Sequence, residues 1–203
     1  MRRHVYPTRF LAVALLAALV ALPAAAKEKK FVNDDASKEK EEPTTWLKDY
    51  DQLVEGKGAD WVYFDGYSAG AYKTIAVKDF SANEKDREAK RAADYGKEYV
   101  EEWVGKSKKL GWEIVEKGKA DLTIEGHVVH AWEPSGAARF WGGWYANPGA
   151  TQEFIGKDAS GKIVFQIRHK SRGSTVKDAI ENGLEDVVKS LEKGKWAPGR
   201  RDA

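Results

Sequence analysis

Gly66-Tyr67-Ser68-Ala69-Gly70 spells G-x-S-x-G, the spacing at which a strained strand-to-helix turn exposes a nucleophilic serine. Asp79 or Asp121, with one of His127, His130 and His169, could nominally complete a triad. The sequence opposes that use of Ser68. An elbow needs a helix directly after the serine, whereas Tyr72 to Phe80 is patterned as a strand. It also needs parallel strands and an oxyanion loop upstream, and little chain precedes Ser68. The motif reads as a Gly/Ser turn between strands, and a serine hydrolase using Ser68 stands as the competing activity.

A second near-motif is Gly156-Lys157-Asp158-Ala159-Ser160-Gly161-Lys162-Ile163. Ile163 stands where a P-loop requires a Ser or Thr to reach Mg²⁺, and the segment joins two strands. It is a hairpin turn. His127 and His130 are three residues apart, so on a regular strand they point to opposite faces and cannot share one ion without a bulge. Glu125 and His127 share a face, but two ligands are too few for a metal. His130 and His169 end apolar faces, as core or rim histidines do. No metal and no cofactor is expected.

The unusual segment is Arg139-Phe140-Trp141-Gly142-Gly143-Trp144-Tyr145-Ala146-Asn147-Pro148. Its Gly pair lets the backbone bend where bulky residues could not. Exposed, these rings would make a contact surface for protein, glycan or a membrane boundary. The opposing expectation is that they fold over an open end of the core, since large aromatics are mostly buried. Trp141, Trp144 and Tyr145 are the candidate anchors and Arg139 the candidate rim residue, because these residue types dominate interface energetics.

The elements that must carry these residues follow from periodicity. Trp61 to Phe64 and Tyr72 to Phe80 read as strands. Ser81 or Asn83 is expected to cap a helix over 84–110, whose Ala, Gly, Tyr, Val and Trp residues recur in three- and four-residue steps. Trp112 to Val115 is a brief strand and Asp121 to Trp132 a long one. Alternation along the latter places Leu122, Ile124, Val128, His130 and Trp132 on one face, with Thr123, Glu125 and His127 on the other. Thr151 to Gly156 and Ile163 to Lys170 form a hairpin. A final helix runs from a Ser174 cap to Lys193, with Gly194 as its stop. The fold class is α/β (α+β), a single mixed sheet with two amphipathic helices packed on one face. Thr123, Glu125, His127, Gln166 and Arg168 mark the other face as open to water or a partner.

Composition sets the address. The 203 residues include no Cys, which excludes disulfides, thiolate metal sites and Cys nucleophiles. Arg2, Arg3 and Arg9 form a basic n-region, Phe10 to Leu22 an apolar run, and Ala24-Ala25-Ala26 a small-residue cleavage site. Residues 1–26 thus read as a signal peptide, and the apolar run falls short of the roughly 20 residues that span a bilayer. The formal charge of +2 becomes −1 once these three Arg are removed, so a nucleic-acid partner loses its electrostatic footprint. Residues 27–42 hold five Lys and six acids and read as a charged, disordered linker. Residues 43–194 form one domain, and 195–203 a disordered tail. The product is expected in the periplasm or secreted, with no transmembrane helix after cleavage.

Thr45-Trp46-Leu47-Lys48-Asp49-Tyr50-Asp51-Gln52-Leu53 and the later Tyr72-Lys73-Thr74-Ile75-Ala76-Val77 carry a resemblance. So do Ala120-Asp121-Leu122-Thr123-Ile124 and Asp158-Ala159-Ser160-Gly161-Lys162-Ile163. The chain resembles bacterial cell-envelope families of unknown function, often lipoproteins, with a W/F-L-x-D-Y-x-x-L opener and a D-x-x-G-K-V/I hairpin. That resemblance implies a small α/β envelope domain with no established catalytic residues. The lipid-bearing Cys of such lipoproteins is absent here. The expected function is non-enzymatic, by contact with an envelope protein partner. A small-ligand or glycan binder using the aromatic segment is the alternative.

Overall fold

The computed structural model describes residues 46–48, 50–116, 119–135 and 147–194. Eight strands build one mixed sheet: β1 (Val54–Glu55), β2 (Trp61–Phe64), β3 (Thr74–Val77), β4 (Ser81–Ala82), β5 (Glu113–Ile114), β6 (Leu122–Trp132), β7 (Gly149–Asp158) and β8 (Ile163–Arg172). Their spatial order is β1-β2-β8-β7-β6-β3-β5, with β4 also pairing to β6. The contacts of β6 with β3 and β4 are parallel; those of β7 with β6 and β8 are antiparallel. Two helices, α1 (Arg87–Lys106) and α2 (Val176–Lys193), cover one face and touch each other. The expected sheet with two helices on one face is the architecture found.

Helix α1 starts later than the sequence suggests. Its cap is Asp86, whose Oδ1 accepts from the Ala89 N–H at 2.9 Å, while Ser81 and Ala82 join the sheet instead. Helix α2 is capped by Thr175, one residue beyond the expected Ser174, and ends at Gly194. Both helices bury their stripe on the sheet: Ala89, Ala92, Ala93, Val100 and Val104 from α1, Ile180, Leu184, Val187 and Leu191 from α2. Small residues set the spacing. A Cβ on Gly96 of α1 or Gly126 of β6 would collide with the Phe80 ring, which is wedged between them and stacks edge-on against Phe154.

The other face departs from expectation. Gln166 is fully buried and Arg168 is 6% exposed, so the part of this face on β8 is covered, while Thr123, Glu125 and His127 on β6 are half-buried. Residues 46–48 and 50–53 form a strap across it. Trp46 stacks on His127 at 5.3 Å, the Lys48 N–H donates to Gln166 Oε1 at 2.8 Å, and the strap turns at Tyr50–Gln52. Leu47 and Leu53 pack with Ile155, Trp61, Tyr63 and Ile163 into a second apolar cluster. The opener residues are thus structural. They roof the sheet.

Strand β6 also corrects its predicted face. Val128 pairs with Gln152 and His130 with Thr151, so Val129 is an extra residue, a β-bulge. A one-residue insertion reverses the alternation beyond it. His130 and Trp132 therefore leave the helix-facing side, where Ala131 takes their place in the core, and join His127 on the strap side.

Candidate contact surface

The bulge assembles cross-strand rows on the strap side. Trp132, Gly149 and Arg172 form one row, His130, Thr151 and Lys170 the next. Gly149 has no side chain because Trp132 occupies its place: a Cβ there would overlap the indole ring. The indole N–H donates to the Asn147 carbonyl at 3.2 Å, tying the two ends of the β6–β7 connection together. Lys170 Nζ lies 4.8 Å and the Arg172 guanidinium 5.8 Å from the centre of the ring, and His130 stacks on it at 5.6 Å. His130 is fixed in turn by Asp86, whose Oδ2 lies 2.6 Å from Nδ1 and accepts the Ala131 N–H at 3.1 Å. Burial works against the charge on Asp86, but the Ala89 and Ala131 N–H groups and His130 hold its carboxyl below the ordinary value.

Arg139, Trp141, Trp144 and Tyr145 lie outside the described residues. What is described is their mounting. They sit in sequence between Trp132 and Asn147, and the contacts among Asp86, His130 and Trp132 hold the end of β6 that precedes them. Gly149→Ala is expected to cost about 1–3 kcal/mol by forcing the indole off the strand. A drop in melting temperature with a changed Trp132 emission, read against Trp132→Phe, checks this.

The next row runs Ser81, His127, Glu153, Arg168 and Trp61 across five strands. Ser81 Oγ lies 2.8 Å from His127 Nδ1, and burial pushes the His127 pKa down. Arg168 Nη1 donates to Glu153 Oε1 at 2.6 Å in a pair that is almost wholly buried. The bulge does bring His127 and His130 to one face, yet they face Ser81 and Asp86. Among the described residues no group of three or more His, Asp or Glu converges as metal ligands do.

The G-x-S-x-G segment makes no elbow. Ser68 precedes a single 3-10 turn, Ala69–Ala71, and then β3, with Gly66 at φ +72° before it. Asp158, Ser160 and Gly161 form the expected hairpin turn: Asp158 Oδ1 accepts from the Ser160 and Lys162 N–H groups, and Gly161 has φ +87°. Sequence reasoning missed the Glu153–Arg168 pair and the surroundings of His169. Arg168 and Glu153 had a legible signal, being charged residues inside otherwise strand-like runs.

No protein-family model matches the chain, and no curated protein matches it. Among solved structures it is similar to the PelC dodecamer of Paraburkholderia phytofirmans in two crystal forms. One shows 12% identity over 64% of this chain and 97% of that one, with a TM-score of 0.48. The other shows 14% identity over 64% and 96%, with a TM-score of 0.43. A neuraminyllactose-binding hemagglutinin homolog from Helicobacter pylori shows 10% identity over 63% and 87%, with a TM-score of 0.29. At this level of similarity they assign neither family nor role. Among the described residues no helix is long and apolar enough to cross a membrane.

Proposed function

We propose that this is an exported, non-enzymatic protein of the bacterial cell envelope that works by contact with a protein partner. The contact is made by the segment carrying Arg139, Trp141, Trp144 and Tyr145. One observation carries the proposal: a segment of four aromatic rings and two adjacent glycines joins strands of 11 and 10 residues. Its first root is pinned by Trp132 over Gly149. A rigid base under aromatic anchors lowers the ordering cost of association. The basic, acid-free leader and the charged stretch 27–42 support delivery to the periplasm or beyond, with the stretch as a tether to the domain. Ser68 sits on a turn without an elbow, which supports contact over hydrolysis. A photo-crosslinking residue in place of Trp144, irradiated in intact cells, is expected to give one discrete protein adduct.

A further inference from the structure

His169 is buried on the helix side of β8, its side chain 7% exposed, between two carboxylates from different elements. Nδ1 lies 3.1 Å from Asp60 Oδ2, at the start of β2, and Nε2 lies 3.6 Å from Asp186 Oδ2, on α2. The same Asp60 oxygen accepts the Lys170 N–H at 2.7 Å. Beside this cluster, Ser190 Oγ accepts from the Ala59 N–H and donates to the Asp186 carbonyl, both at 2.9 Å. The turn between β1 and β2 is therefore linked to α2 at Ser190 and, through His169 of β8, at Asp186. Gly58, at φ +114°, permits the approach, because a Cβ there would press on Ser190.

The chemistry of the ring decides what this arrangement requires. A neutral imidazole has one N–H and one lone pair, so it can serve only one of two carboxylates. The other would meet the ring lone pair to lone pair, beside a second anion. An imidazolium donates to Asp60 and holds Asp186 by charge across 3.6 Å. We propose that Asp60, His169 and Asp186 form a proton-held clasp, and that loss of its proton loosens the β1–β2 hairpin against α2, leaving only the Ser190 attachment, without unfolding the rest of the sheet. The hairpin supplies Trp61 and Tyr63 to the cluster beneath the strap, so the clasp also steadies residues 46–53.

Other charges near the clasp do not replace the proton. Lys189 reaches Asp186 Oδ1 only at 3.8 Å and pairs with Glu185, and Lys193 acts on Asp186 from two turns further along α2. From the β1–β2 turn Lys57 offers its carbonyl to Ser190. From β7 the register partner of His169 is Gln152, a neutral side chain committed to Ser171 and Ile180. Burial alone would lower the His169 pKa, yet the facing Asp186 and Asp60 carboxylates raise it to about 9. The folded value lies above the ordinary 6.5, so the clasp contributes fully below that pH and is lost as pH climbs through about 9.

The test follows the His169 ring by NMR in the full chain while amide exchange is measured for residues 54–64 and for β6 and β7. His169 is expected to stay protonated to about pH 9. Exchange protection of 54–64, corrected for intrinsic rates, is expected to fall with that titration while β6 and β7 hold. Asp186→Asn should move the His169 midpoint down toward 6.5, and His169→Gln should leave the hairpin loosened at neutral pH with no further pH response. A His169 midpoint at or below 6.5, or hairpin protection that ignores the titration, overturns the proposal. If His169→Gln does not fold, the Asp186→Asn midpoint and exchange decide alone.

Discussion

Arg168→Met is expected to destabilise the protein by about 3–5 kcal/mol, the cost of leaving one member of a buried ion pair uncompensated. Glu153 is fully buried and takes Arg168 Nη1 at 2.6 Å, in the middle of β7. Remove the guanidinium, and the buried Glu153 carboxylate loses its Arg168 partner in a low-dielectric interior or takes up a proton. The signature is a loss that shrinks as pH falls and Glu153 takes up a proton, opposite to ordinary acid denaturation. Arg168→Met with Glu153→Leu should recover most of the loss, because two apolar groups of similar volume owe no desolvation penalty. Urea unfolding of the single and double variants at two pH values checks both statements. A double variant as unstable as Arg168→Met would show that the pair is a minor element of this face.

Leu53→Ala is the second large effect, expected at about 2–5 kcal/mol for a fully buried leucine. Leu53 closes the cluster under the strap, and its N–H donates to the Tyr50 carbonyl at 3.2 Å. The strap holds its place by side chains and the Lys48–Gln166 bond, not by strand pairing. Leu53→Ala should therefore loosen residues 46–53 before the sheet melts. Amide exchange at 46–53, compared with β6 and β7, separates this from uniform destabilisation.

The elements that bury one clean stripe were legible in the sequence. Trp61–Phe64 was bounded to the residue, and α2 kept its stop at Gly194 because both signals are local. Position 130 was misplaced for a physical reason. Alternation assumes an unbroken ladder, and the bulge at Val129 turns His130 and Trp132 over without leaving a Gly or Pro as a mark. The N-terminus of α1 was misplaced because Ser81 and Asn83 are good caps too. Pairing of β4 with β6 claims Ser81 and Ala82, and Asp86 is chosen because its second oxygen reaches His130 and Ala131 on β6. Trp46, Leu47, Tyr50 and Leu53 stand at helix-like spacing, yet they form a strap whose partners include the sequence-distant His127, Ile155 and Ile163. Nothing local announces that. Of the contact surface, the aromatic run was plain in sequence, whereas its base needed the bulge to bring Trp132 over Gly149.

The most direct test of the contact function is photo-crosslinking from position 144 in intact producing cells, with a second probe at exposed Tyr95 on α1 as the control. The account predicts one reproducible protein adduct from position 144, absent from position 95 and weakened by Gly149→Ala. A sugar-bearing adduct, or no adduct with a Trp144 ring buried by fluorescence quenching, would contradict it.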